Sequence, residues 1–583
     1  MPCNEDALLK SSQILSKSSQ ILSKSSPNPL QIPTRLKKER TYRPVASQHI
    51  SAGELLGRSM LLSLLVAISA TSVARGSVVS SQGTAVPRLV INILVDQLRT
   101  DYLEAFMPLY GEEGWKRLLR EGLIYEQAQY PLTHPDRACA AATIATGATP
   151  SYHGIVGTKW MDRTTLRPVF CVADAAYQGV GGTRENASPK YLGVSTIGDE
   201  LKVATEGKAI VYSIAPNVET AILTAGHAAD GAIWIDNQTG KWSSSSYYGG
   251  MPAWASALSA RGDLTSRLQN TVWQPTNDLV GNFNYFPSGG MKKPFAHKFR
   301  GDNQFADFKT SGLVNAEMAE ATEACLAHTT IGNDATTDYM AITLYAGNFR
   351  HRPVSEMPLE LQDTYVRLDK ALAQILQSVE RKVGRERTLL VLTSTGTCDE
   401  ETADLSKYRI PTGTFDVRRA ADLLNMYLVA VYGQGKWVEA TMDNQIYLDH
   451  KLIEQKQVNL AEMLERSEDL LLQMSGVKDV YTSQRLMQGA WTPGISRIRA
   501  GYHPKHSGDI LVEVSPGWHY VNSDNNARSL VRESHINFPI IFWGQSVSGG
   551  KANRPVTVDY IAPTLSKAMR IRAPNACGLE PLF

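Results

Sequence analysis

Dense apolar runs and one long amphipathic spacing organise this chain. Arg88-Leu-Val-Ile-Asn-Ile-Leu-Val95 is apolar at nearly every position and rich in β-branched residues. A strand apolar on both faces is buried on both faces, which predicts a central strand of a parallel sheet. Thr388-Leu-Leu-Val-Leu-Thr393 repeats the pattern. The stretch before it, from about Leu359 to Lys382, spaces Leu361, Tyr365, Leu368, Leu372, Ile375 and Leu376 at helical intervals. That spacing predicts a helix with one buried face. Tyr102, Phe106, Trp115, Leu118 and Leu119 predict a helical stretch behind the first strand. Further strands are predicted at Ala209–Ile214, Tyr339–Leu344, Asp509–Val514 and Pro539–Phe542. Strands alternating with helices define an α/β fold, a doubly wound sheet flanked by helices. In such sheets the chemistry lies just past the strand C-termini, here after Val95, Leu344 and Thr393. Polar, Trp/Tyr/Gly-rich stretches at about 230–310 and 400–505 read as cap insertions at one end of the sheet.

The N-terminal part follows different rules. Residues 1–74 hold a tandem SSQILSK repeat from Ser11, then Arg58-Ser59-Met60, an apolar run from Leu61 to Ala70, and Ser72-Val73-Ala74. A basic flank, a short apolar core and small residues are the parts of a secretory signal. The run is shorter than the roughly 20 residues a membrane-spanning helix needs. The expectation is a leader with a signal peptide, and a mature chain from about residue 75 to 583 in the periplasm or cell envelope. The net charge of +2 argues against a nucleic-acid partner. Five scattered cysteines after the leader, without CxxC spacing, argue against a zinc ribbon and read as inert buried thiols.

Eight ordered segments carry a resemblance. They begin with VDQLRTDYL, GWKRLLREGLIYEQAQY and TIATGATPSYHGIVGTKWMDR, then TIGDELK from Thr196 and AILTAGHAADGAIWID from Ala221. LELQDTYVRLDKAL from Leu359, SGDILVEVSPGW from Ser507 and VDYIAPTLSKAMRI from Val558 complete the series. From about residue 86 to its end the chain resembles the alkaline phosphatase superfamily, nearest the bacterial phosphate monoesterases related to nucleotide pyrophosphatase/phosphodiesterases. The resemblance implies two zinc ions, a Thr or Ser nucleophile at a helix start, and a shell of carboxylates and imidazoles.

The resemblance also locates what is missing. Asp96 stands where the first ligand belongs. The nucleophile position holds Arg137, whose guanidinium is neither nucleophile nor zinc ligand. The Asp and His expected after the second central strand fall on Leu344 and Asn348. The Asp-His pair after Leu392-Thr393 falls on Thr395 and Gly396. The last His ligand, about eleven residues before Pro539, falls on Arg528. Thr158 replaces a phosphate-holding Asn, and Asn217 and Glu219 replace a Lys-x-Arg pair. Glu219 in place of a cation would repel phosphate.

One carboxylate does not hold a zinc pair, so the expectation is an exported pseudoenzyme without a metal cofactor. It would serve as a binding or assembly module toward an unknown envelope protein or component. The alternative is an active phosphoesterase with a rewired site. Its candidate ligands are His134, Asp136, His351, His503, His506, His535 and the Cys398-Asp399-Glu400-Glu401 run. None of them has a compact metal spacing. His503 and His506 read as surface or cap residues. Thr133 and Thr143 are the hydroxyls a displaced nucleophile would use, and no GxSxG elbow occurs. Arg137 is expected to supply the charge the metals once gave, pairing with Asp96, Glu219 or both.

Overall fold

A computed structural model describes residues 85–259, 262–281, 294–399, 411–489, 493–521, 528–531 and 536–583. The leader and its apolar run lie outside the described residues. The first strand, β1 (Leu89–Asp96), is buried along its whole length. Ile91, Ile93 and Val95 enter one apolar cluster and Val90 and Leu94 the other. That division explains the dense apolar run, because each face of the strand serves a separate core.

The other sheet strands that matter here are β2 (Leu123–Gln129), β3 (Val211–Ala215), β4 (Gly231–Ile235) and β5 (Trp242–Ser245). To these are added β6 (Asp338–Tyr345), β7 (Thr388–Ser394) and β8 (Phe538–Gly544). They pair in the order β2-β8-β7-β1-β6-β3-β4-β5 within an eleven-stranded sheet. β1 runs parallel to β6 and β7, with Asp96 opposite Tyr345 and Val95 opposite both Leu344 and Ser394. The three strand ends therefore line up, and the residues just past them share one edge.

Helices cover both faces. The long helix α4 (Pro358–Lys382) forms as its apolar spacing predicts. Its buried Asp369 accepts backbone hydrogen bonds from Gly111 and Trp115, at 2.8 and 2.7 Å. Those bonds hold the start of α1 (Trp115–Glu121). A Cβ at Gly114 would lie 2.2 Å from an Asp369 oxygen, so this approach needs glycine. The helical stretch predicted behind β1 is two helices, Thr100–Ala105 and α1, because Pro108 and the turn at Gly111 and Gly114 divide it. Helices α2 (Arg137–Thr146) and α3 (Val218–Ala225) pack on the face that carries Val90 and Leu94.

Two expectations are corrected. Residues 231–235 and 242–245 are strands of the central sheet, so that insertion starts later than about 230. The strand predicted at Asp509–Val514 forms as Ile510–Val514 in a separate four-stranded sheet with Val438–Met442, Gln445–Leu448 and Val477–Thr482. That sheet packs under the helix Val417–Tyr432 around its own core, which includes Leu424, Leu428, Ile446 and Val512. β8 runs antiparallel to β7, so the central sheet is mixed, in keeping with the expected α/β fold. No disulfide links the cysteines of the described residues, and Cys139, Cys171 and Cys325 are buried.

Candidate functional site

Asp96 ends β1 with its side chain only 5% exposed. A carboxylate so placed requires charge-assisted partners, and it has two. Arg137 Nη1 donates to Oδ2 at 3.0 Å, and the Thr395 hydroxyl donates to Oδ1 at 2.8 Å. Arg137 opens α2, and its Nε donates to Glu219 Oε1 at 2.8 Å. Glu219 lies in the first turn of α3 and is as deeply buried as Asp96. Burial opposes the guanidinium's charge, but Glu219 and Asp96 outweigh it and raise its pKa further. One arginine thus bridges two buried carboxylates from two elements, as expected from the sequence.

Asp136, a candidate ligand, is committed elsewhere. As N-cap of α2 it accepts from the Cys139 amide at 2.8 Å, an ordinary capping bond. Its other oxygen accepts from the Thr158 hydroxyl at 2.6 Å and from the Thr158 amide. Thr158 and Asn217 line a cavity of about 370 Å³, together with Arg137, Glu219 and Lys309. Lys309 is the residue that sequence reasoning missed. It sits in a segment read as cap, at the end of the helix Gln304–Lys309, and is 5% exposed. A lysine closing an amphipathic helix gave no signal that its amine turns inward.

The remaining positions divide. Leu344 pairs with Val95 and its side chain enters the core on the face opposite Asp96, so it does not belong to the site. The polar groups past β6 are Asn348 and His351. The Asn348 amide donates to Asp399 at 3.2 Å, His351 Nδ1 lies 2.8 Å from Asp399 Oδ1, and Gln97 Nε2 donates to that same oxygen at 3.1 Å. Burial lowers the His351 pKa, but Asp399 overrides it and raises it. Gln97, Arg350 and His351 all take left-handed backbone, at φ 63°, 54° and 53°. Such strain in non-glycine residues is enriched at functional sites.

Gly396 is at φ 67°, and a Cβ there would meet the Tyr130 ring at 2.7 Å. A histidine does not fit that position without moving Tyr130. Arg528 opens a short strand that pairs with His519–Val521 in a three-stranded sheet apart from the central one, and its side chain lies outside the described residues.

The other candidates are accounted for locally. His506 stacks on Trp160 with ring centres 4.4 Å apart and its Nδ1 lies 2.6 Å from the Gly154 carbonyl. His503 lies 4.6 Å from the His506 ring, and burial brings its pKa down to about 4. Both are half-buried. Burial also lowers His134. The Thr143 hydroxyl is buried and donates to the Cys139 carbonyl at 2.9 Å. Glu400, Glu401 and His535 lie outside the described residues.

Among the described residues, the donors do not fit a zinc pair. Such a pair needs several carboxylates and imidazoles converging on it. Asp96 is engaged by Arg137 and Thr395, and among the described residues no imidazole hydrogen-bonds to it. Among the described residues, no group of three or more His, Cys, Asp or Glu is placed to hold a metal.

Comparison with known proteins places this geometry in a family. Residues 90–537 match the Type I phosphodiesterase / nucleotide pyrophosphatase family, and the chain belongs to it. It is 29% identical to the alkaline phosphatase PhoV of Synechococcus elongatus over 85% of this chain and 92% of that one. It is 28% identical to the alkaline phosphatase PafA of Elizabethkingia meningoseptica over 88% of this chain and 97% of that one. The crystal structure of PafA superposes with a TM-score of 0.73 at 26% identity, covering 85% of this chain and 98% of that one.

Proposed function

We propose that this protein recognises phosphate esters, and that recognition is separated here from two-metal hydrolysis. One observation carries the reading. Arg137 stands at the helix start where the family's nucleophile is expected, and it spends its charge on Asp96 and Glu219. An arginine is always charged and donates only, so it neither attacks phosphorus nor binds a cation.

The second reading is an active phosphoesterase, and the relatives favour it. PhoV and PafA are named alkaline phosphatases, and the chain spans more than nine tenths of each. Both readings share a site directed at phosphoesters. The envelope assembly role expected from the sequence has no support in these relatives.

Metal content and turnover separate the two. The purified full chain should hold zinc only in trace amounts by mass spectrometry and should leave p-nitrophenyl phosphate and bis-p-nitrophenyl phosphate intact. Two equivalents of tightly held zinc, together with turnover, would establish the second reading.

Export is part of the proposal. It rests on the apolar run Leu61–Ala70 and its flanks. No helix among the described residues is long and apolar enough to cross a membrane. N-terminal sequencing of native material should find the chain beginning near residue 75. A cytoplasmic chain beginning at Met1 would refute export.

A further inference from the structure

The cavity beside Arg137 holds a cation that the family positions do not include. Lys309 is 5% exposed, lines the cavity, and makes no ion pair or hydrogen bond through its ammonium among the described residues. Burial drives its pKa down to about 8 and Arg137 adds to the fall, against the pull of Glu219, Glu185 and Asp236. A buried ammonium without a partner is costly, and an anion close to it would relieve that cost.

A second feature faces the same space. Helix α3 begins at Val218, and its N-cap Asn217 makes no side-chain capping bond. Asn217, Val218 and Glu219 line the cavity. The first amides of a helix have no partner within it, and they draw anions through both hydrogen bonding and the helix dipole.

The charges around this corner do not forbid an anion. Glu219 would repel one if it stood alone, but its charge is met by Arg137 at 2.8 Å. Burial raises the Glu185 pKa above its ordinary value. Lys159 is exposed at the rim. Phe170 and Val218 add apolar wall, and the cavity of about 370 Å³ is several times larger than a phosphate ion.

We propose that Lys309 and the uncapped start of α3 form an anion-binding corner that takes a phosphate monoester, with its organic group against Phe170 and Val218. The proposal rests on the reading of a phosphoester-directed site and adds the residues that hold the anion. Arg137 plays no part in this grip, being held by its two carboxylates.

The test is calorimetric titration of the full chain, in chelator, with inorganic phosphate and with phenyl phosphate. Both should bind, phenyl phosphate the more tightly. Lys309→Met should weaken both at least tenfold without lowering the urea midpoint, because it removes a buried charge and keeps the length of the side chain. Lys309→Arg should keep part of the affinity. Binding should weaken as pH rises through the range where Lys309 loses its proton. Unchanged binding by Lys309→Met overturns the proposal and leaves the phosphoester reading standing. Equal affinity for the two probes overturns the apolar wall. If neither probe binds to the wild-type chain, both the proposal and the reading fail. Zinc-dependent turnover would instead overturn the separation from hydrolysis alone.

Discussion

Arg137→Thr should destabilise the protein by roughly 3–5 kcal/mol and should restore no hydrolysis, although it returns a hydroxyl to the helix start. The loss comes from what stays behind. Asp96 and Glu219 have side chains only 5% and 6% exposed, and each accepts a charge-assisted bond from the one guanidinium. Without it two like charges remain in a poorly solvated place, and Thr395 alone still donates to Asp96. Arg137→Lys should lie between, because an ammonium keeps the charge without the fork that reaches two partners. Adding Asp96→Asn and Glu219→Gln to Arg137→Thr should recover much of the loss, because it removes the stranded charges, and closely coupled residues do not act additively. Urea unfolding midpoints read these differences. An unchanged midpoint for Arg137→Thr would show that the bridge contributes nothing. Zinc binding and turnover by the same variant would overturn the account of the lost metal shell.

How far the sequence carried each conclusion depended on whether the deciding contact was local. β1, β7 and α4 were legible because burial on two faces or on one helical stripe writes itself into neighbouring positions. Asp96 and Arg137 were legible because ordered segments on either side fixed their register. Leu344 was misplaced because spacing does not say how far past a strand the chain travels before its polar groups return. Asn348 does so shortly past the strand end, and His351 at a left-handed turn beyond it. The strand Ile510–Val514 was found, but its sheet was not, since alternation is the same whichever strands lie beside it. Lys309 was invisible for a related reason. Its inward course depends on elements more than eighty residues away, including α2 and α3. Gly396 shows the opposite case, a position whose small residue is explained once Tyr130 is seen beside it.

The largest effect away from the cavity should come from Asp509→Asn, at about 3 kcal/mol, the lower end of what breaking a buried ion pair costs. The lower end applies because Arg163 and His450 are 26% and 51% exposed and can be hydrated when left alone. Asp509 joins the smaller sheet to the hairpin Lys159–Phe170. Arg163 donates to its two oxygens at 2.9 and 3.2 Å, the Leu448 amide donates at 2.8 Å, and His450 Nε2 lies 2.8 Å away. Burial raises the Asp509 pKa, yet His450 and Arg163 prevail and lower it. The bond to Asp509 raises that of His450. The two signs bound a pH window. The Asp509 contribution is complete above its ordinary pKa, about 3.9, and is lost as pH falls through the lowered folded value. The His450 contribution is complete below its ordinary pKa, about 6.5, and is lost as pH rises through the raised folded value. The junction should therefore be tightest between about pH 4 and pH 6.5. Hydrogen exchange at the Leu448 amide, corrected for intrinsic rate, should show greatest protection there in the wild-type chain. Asp509→Asn should lower that protection and flatten its dependence on pH. A variant that kept the wild-type profile would show that the junction is held by apolar packing, and that the carboxylate between Arg163 and His450 is incidental to it.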